Sequence, residues 1–229
     1  MTNNKGKIEW QGNLKRGMAM NLKKATSYIN ALYEKRGFSK EEYIQATELQ
    51  EFGIVVDDDV SRMLYVLARL THARRILEIG TSIGYSTVSI ANAIKGCDGK
   101  IFTIENDQQV AQQAMKNFER AGVTQNIEVK IGDAREIVPR IQEQFDLIFQ
   151  DVGDKELYPL LFDDCIRLLK IGGLLLAEDT LFPVMELPAS WAHSVAPIQK
   201  FNEMVADCSF LESTILPLGD GLTIAVKMS

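Results

Sequence analysis

Arg75-Ile76-Leu77-Glu78-Ile79-Gly80-Thr81-Ser82-Ile83-Gly84-Tyr85-Ser86 reads as a short apolar strand, a tight glycine turn and the start of a helix. Ile76, Leu77 and Ile79 form the near-continuous apolar run of a strand covered on both faces. Gly80 and Gly84 bracket a turn where the backbone bends sharply and a ligand can come close. Ser86 and Thr87 open an amphipathic segment, Val88 to Ile94. In open α/β sheets ligands lie beyond the carboxyl end of such a strand. The other reading of the same stretch is a packing device with no ligand at all.

The glycine spacing narrows the ligand. A dinucleotide fingerprint needs Gly-x-Gly-x-x-Gly, but its second glycine is Ser82 here, and no Gly-Lys-Ser/Thr phosphate loop is present. The pattern is instead Glu-x-Gly-x-x-x-Gly, with Glu78 near the strand tip. An acid there suits a ligand carrying an ammonium or a sulfonium, and points to S-adenosylmethionine.

Outward from this stretch the chain keeps a βα rhythm. Ile101-Phe102-Thr103-Ile104 is a second strand ending in Glu105, an acid placed to accept both hydroxyls of a ribose. A helix from Asp107 to Ala121 closes at Gly122, and Ile127 to Ile131 is a third strand. Asp133 then either meets an adenine amino group or caps a helix over 134–143; the two roles are compatible. Phe145 to Asp151 is the fourth strand, a helix follows from Glu156 to Lys170, and Leu174 to Ala177 is the fifth strand, ending in Glu178-Asp179. Neighbouring strands one, four and five gather Glu78, Asp151, Glu178 and Asp179 at one crevice. Clustered carboxylates in a chain with only two histidines, His72 and His193, suit an oxygen-liganded ion such as Mg²⁺, Mn²⁺ or Ca²⁺. The bland alternative is that these acids only cap helices.

Before the central strand, residues 1–17 form a polar arm and 18–36 carry helical spacing, Met18, Leu22, Ala25, Ile29, Leu32 and Tyr33 sharing a face up to Gly37. Ser39 and Glu42 suggest a capping box for a helix to about Phe52. These N-terminal helices serve as a lid, as a dimer surface or simply as packing. Asp57-Asp58-Asp59 open the next helix with charge that suits its dipole, or less simply ligate a metal. After the fifth strand, Leu181 to Pro197 reads as a long aromatic loop over the crevice, clamping a flat substrate or packing on a partner subunit, with His193 a weak alternative base. Ile198 to Ala206 is a helix. Phe210–Pro217 and Leu222–Lys227 pair as an antiparallel hairpin around Gly219-Asp220-Gly221.

Composition bounds the function. The 229 residues make one main domain: an N-terminal appendage over 1–52 and a catalytic domain over 53–229. A net charge of −6 argues against broad binding to nucleic acid or anionic membranes. Three scattered cysteines, Cys97, Cys165 and Cys208, fit reduced thiols in a cytoplasmic protein, and no segment is apolar enough for a signal peptide or a spanning helix.

Ala73-Arg74-Arg75-Ile76-Leu77-Glu78-Ile79-Gly80, Gly84-Tyr85-Ser86, Phe145-Asp146-Leu147-Ile148-Phe149, Asp154-Lys155, Leu174 to Ala177 and Leu216-Pro217-Leu218-Gly219-Asp220-Gly221-Leu222 together resemble the catechol and caffeoyl-CoA type of class I, metal-dependent O-methyltransferase, in a bacterial-like form. The resemblance runs from about 53 to 227. It implies a Rossmann-like, doubly wound, mostly parallel seven-stranded sheet with an antiparallel C-terminal hairpin and extra N-terminal helices. Glu78 and Gly80 would line the methionine end of S-adenosylmethionine, with Val56, Thr81, Gly84 and Tyr85 beside it and Ser86 on its carboxylate. Glu105 would take the ribose, and Asp133 with Ala134 the adenine. Asp151 would reach both cofactor and metal, Glu178 and Asp179 would complete the metal ligands, and Lys155 would be the base.

That resemblance implies O-methylation of a small catechol-like or phenolic acceptor by a homodimer. A methyltransferase acting on a modified uridine carboxylate of tRNA is a second reading, and a cofactor-binding protein without catalysis a third. Two departures stand out. Glu178-Asp179 replaces the family's Asp-Asn pair, lengthening one arm and adding a charge. One extra residue separates Asp151 from Lys155, an insertion able to move the lysine away from the acceptor.

Overall fold

The computed structural model describes residues 21–229, so the arm over 1–17 and Met18 lie outside the described residues. Seven strands make one sheet: β1 (Arg75–Ile79), β2 (Lys100–Glu105), β3 (Ile127–Ile131), β4 (Phe145–Gln150), β5 (Leu169–Ala177), β6 (Leu211–Leu216) and β7 (Leu222–Lys227). Their order is β3-β2-β1-β4-β5-β7-β6. The first five pair in parallel, and β7 runs antiparallel between β5 and β6. The order reverses between β1 and β4, which puts the crevice beyond their carboxyl ends. This is the expected doubly wound sheet with its C-terminal hairpin.

The pleat sends alternate side chains to opposite faces. Ile76 joins Leu147, Phe149 and Leu176 on one face, while Leu77 and Ile79 join Ile148 and Leu175 on the other. Helices α3 (Asp58–Leu70), α4 (Tyr85–Ile94) and α5 (Gln108–Ala121) cover the first face through Leu64, Val88 and Phe118. Helices α7 (Leu157–Leu160), α8 (Phe162–Leu168) and α9 (Val195–Asp207) cover the second through Tyr158, Phe162 and Phe201. Burying each such side chain contributes on the order of 2 kcal/mol, which makes both layers firm supports for the strand ends.

At the N-terminal side, α1 (Leu22–Tyr33) starts at Asn21, whose side chain accepts from the Lys24 amide, and a 3-10 turn carries the chain to Gly37 at φ +64°. No residue of α1 is buried; Leu22, Tyr28 and Leu32 are exposed. Helix α2 (Lys40–Gln45) stops well short of Phe52. Ser39 stands at its N-cap without a side-chain bond; the Asp58 carboxylate takes the Lys40 amide instead, at 2.8 Å. Phe38 stacks on Tyr85 at 4.8 Å and Tyr43 packs beside it at 5.1 Å, so this segment joins the α4 layer of the core.

Three further segments differ from the sequence expectation. Helix α6 (Ala134–Ile137) gives way at once to a 3-10 turn, Val138–Arg140, where Pro139 has no N–H to continue a helix. The helix expected over 156–170 divides into α7 and α8 around Leu161, and Leu169 leaves it to pair with Phe145 at the start of β5. Gly172, at φ +80°, lets β5 absorb the irregularity beside Phe145 and Leu147. The segment after β5 is two 3-10 turns, Phe182–Val184 and Ala189–Ser194, rather than an open loop, and Pro197 lies in the first turn of α9, where its missing N–H is harmless. Among the described residues no helix is long and apolar enough to cross a membrane.

Candidate active site

The turn after β1 is built by crowding. Gly80 has φ +100°, and a Cβ there would lie 1.8 Å from the Asp151 carbonyl oxygen, so only glycine lets the ends of β1 and β4 close together. Gly84, at φ +85°, serves packing: a Cβ would lie 2.5 Å from the Phe118 ring.

Glu78 is wholly buried behind this turn. Its carboxylate accepts from the Ser86 hydroxyl at 2.8 Å, the Thr87 hydroxyl at 2.5 Å and the Thr103 hydroxyl at 2.7 Å. Burial pushes its pKa up to about 7, against the pull of the three hydroxyls. Thr81 and Thr103 share a hydroxyl contact at 2.6 Å, and the Tyr85 hydroxyl donates to Asp58 at 2.8 Å. Val56 sits in the apolar core. The structure therefore sets Val56, Glu78, Thr81, Gly84, Tyr85 and Ser86 as a frame behind the crevice, with Glu78 and Ser86 engaged on one another rather than on the cavity wall.

The wall itself encloses about 550 Å³, within the range of small-molecule sites. Gly80, Glu105, Asp133, Ala134, Asp151, Lys155 and Asp179 line it. Glu105 accepts from the Ser82 amide at 2.9 Å and the Asp107 amide at 3.1 Å, which fixes its carboxylate across from the glycine turn. Asp133 caps α6 by accepting from the Arg135 amide at 2.8 Å, and this bond holds it below the usual carboxylate range. It caps and lines at once. Sequence reasoning missed Ser82, Arg135 and the Gly53-Ile54 edge of this wall. Arg135 reaches both Asp133 and Asp154, a link that a basic residue directly after a capping Asp could have suggested. Trp191, from the expected aromatic segment, closes the far side and meets Phe182 edge-on at 5.9 Å. His193 is exposed and is not part of the wall.

Backbone ladders carry the acids to one point. The Asp151 amide donates to Ile79 O at 2.9 Å and the Glu178 amide to Gln150 O at 3.1 Å, so three adjacent strand ends finish level. One carboxylate oxygen from each of Asp151, Glu178 and Asp179 lies within 4.8 Å of the others. The hairpin turn reaches over them: the Asp220 amide donates to Glu178 at 3.0 Å. Burial, with neighbouring acids adding and Lys155 opposing, pushes Asp151 up to about 7. Burial and Asp179 push Glu178 well above the carboxylate range. Three crowded oxygens of this kind are a fitting donor set for a hard divalent ion, whose charge would relieve their mutual repulsion. Lys155 is ion-paired with Asp179. The inserted residue before it therefore leaves the lysine at the acids and on the cavity wall.

The sequence profile of the O-methyltransferase family matches residues 34–228. A catechol O-methyltransferase of Niastella koreensis is 33% identical over 204 residues, covering 83% of this chain and 91% of the relative. A caffeoyl-CoA O-methyltransferase of Populus kitakamiensis is 28% identical, covering 77% of this chain and 79% of its own length. Among solved structures, an O-methyltransferase from Bacillus cereus in complex with SAH superimposes with a TM-score of 0.73 at 26% identity, covering 89% of this chain and 97% of the other.

Proposed function

The chain belongs to the O-methyltransferase family, and from that premise we propose that it transfers the methyl group of S-adenosylmethionine to a hydroxyl of a small catechol-like or phenolic acceptor with the help of a divalent cation. The observation that carries this reading is one cavity wall that holds Lys155, Asp151 and Asp179, with Glu178 converging on the two acids, together with Glu105 and Asp133.

In the transfer, the acceptor oxygen forms a bond to the methyl carbon, the carbon–sulfur bond breaks with its electron pair left on sulfur, and the acceptor proton departs. Glu105 accepts the ribose hydroxyls and Asp133 with Ala134 faces the adenine, so the sulfonium is delivered beside the crowded Gly80–Asp151 contact. Holding donor and acceptor in line supplies much of the rate. Asp151, Glu178 and Asp179 would hold Mg²⁺, or Mn²⁺ or Ca²⁺, which lowers the pKa of a bound hydroxyl and fixes its angle. Lys155, on the same wall, would assist that oxygen's proton loss once released from Asp179. Trp191, braced by the buried Phe182, offers a surface for a flat ring.

Acidic residues dominate the wall, including Glu51, Glu105, Asp107, Asp133 and Asp154. Among the described residues its cations, Arg135 and Lys155, are both already paired with carboxylates. This disfavours a polyanionic RNA acceptor. The uncovered Leu22, Tyr28 and Leu32 of α1 support a homodimer, which size-exclusion chromatography with light scattering would test. The activity test is transfer of label from S-adenosylmethionine to catechols, caffeoyl-CoA and bulk tRNA, with Mg²⁺ or with EDTA. Label on a catechol that vanishes with EDTA is the expected result; label on tRNA alone overturns the reading, as does cofactor binding without turnover on any acceptor.

A further inference from the structure

Lys155 is held more closely than a free base would be. Its side chain is 2% exposed. Nζ donates to Val152 O at 2.5 Å, lies 3.4 Å from the Tyr158 hydroxyl and pairs with Asp179. It also sits 5.0 Å and 5.5 Å from the ring centroids of Tyr158 and Phe182. An ammonium has three donors and no acceptor, so these three oxygens satisfy it completely. None of its N–H groups is spare for an acceptor oxygen.

Asp179 is committed twice over. Its carboxylate answers the Lys155 ammonium, and it is also one of the three that converge with Asp151 and Glu178. The charge at this position is a property of this chain, since an asparagine there would offer the lysine only a neutral partner. Two cations directed at one carboxylate repel each other and divide its lone pairs.

We propose that Lys155 and the divalent cation compete for the Asp179 carboxylate, so that Lys155 sets how strongly the site holds its ion and turns an N–H toward the acceptor only when the ion takes Asp179 from it. The proposal rests on the cation-site reading given above. It makes Lys155 a residue with two separable effects, opposing ion binding and supporting transfer. Both effects run through Asp179.

The test is calorimetric titration of Mn²⁺ into the wild-type protein, K155M, D179N and the K155M/D179N double variant, with retained binding of S-adenosylhomocysteine as the check of folding. K155Q, a second neutral replacement, repeats the measurement should K155M fail that check. K155M is expected to bind Mn²⁺ at least about tenfold more tightly than wild type, because the ion no longer has to take Asp179 from an ammonium. The same change made in D179N is expected to alter affinity by less than about threefold, since the contested carboxylate is gone. Methyl transfer by K155M falls despite the tighter ion. Wild-type protein that binds no Mn²⁺ beside a K155M that does would support the proposal in its strongest form. Equal or weaker binding by K155M, or an effect as large in D179N, overturns the competition and leaves the cation site standing. Absence of Mn²⁺ binding in every variant overturns the cation site and the competition together.

Discussion

Replacing Glu78 with glutamine should change the pH dependence of stability more than stability itself. Glu78 is fully buried and receives three hydroxyls, Ser86, Thr87 and Thr103, each of which can turn to donate or accept. Glutamine can therefore keep most of the bonds without the charge. Burial raises the folded pKa from 4.5 to about 7. Between those values the native state binds more protons than the unfolded chain, so stability is fully present below about pH 4.5 and falls as pH rises toward 7. At about 1.4 kcal/mol per pH unit the whole loss is on the order of 3 kcal/mol, of which roughly 2 kcal/mol falls between pH 5 and pH 7. Asp151 and Glu178 titrate in the same direction, so wild type alone would not isolate the effect. The difference between E78Q and wild type does. Urea unfolding of both proteins at half-unit steps from pH 5 to 8 should show E78Q gaining on wild type by about 2 kcal/mol, levelling off above pH 7. A difference that stays flat with pH, or that falls, would refute the burial argument.

G80A should lose more than about 3 kcal/mol in urea unfolding, because the new methyl has no room beside the Asp151 carbonyl and alanine resists φ +100°. E105Q should weaken S-adenosylhomocysteine binding about tenfold, roughly 1.4 kcal/mol, with little change in unfolding midpoint, since Glu105 faces the cavity. F38A should cost about 2 kcal/mol through the lost stack on Tyr85, measured by thermal unfolding. W191A should raise KM for a phenolic acceptor about tenfold while leaving cofactor affinity unchanged, read from steady-state kinetics with each substrate varied.

The parallel sheet was legible because each strand is a short apolar run punctuated by glycine or acid, and Asp151, Glu178 and Asp179 were legible as a group because adjacent strands of such a sheet end level. Glu78 was harder. Its place two residues after Ile76 puts it on the same face as that buried side chain, under α4, where Ser86 and Thr87 supply hydroxyls. The pleat held that information, but proximity to Gly80 suggested the opposite. The end of α8 at Leu168 depends on Leu169 finding Phe145, a contact between strands that local propensity does not encode. Trp191 was visible as an aromatic residue in the right segment, yet its seat on the cavity wall comes from its packing on Phe182. At the start of α2, Asp58 supplies from outside the cap that Ser39 promised from within.

The hairpin turn bears on how the protein is made. Residues 219–221 brace Glu178 through the Asp220 amide, and Gly221 O receives the Thr180 amide and hydroxyl. They leave the ribosome after every parallel strand, and β7 must still slip between β5 and β6 before the turn can settle. Glu105, Asp133 and the Gly80 turn belong to strands already synthesised by then. A nascent chain thus acquires its glycine-turn side first and its braced acidic cluster last, and the three repelling carboxylates draw together only when the rest of the domain is there to hold them.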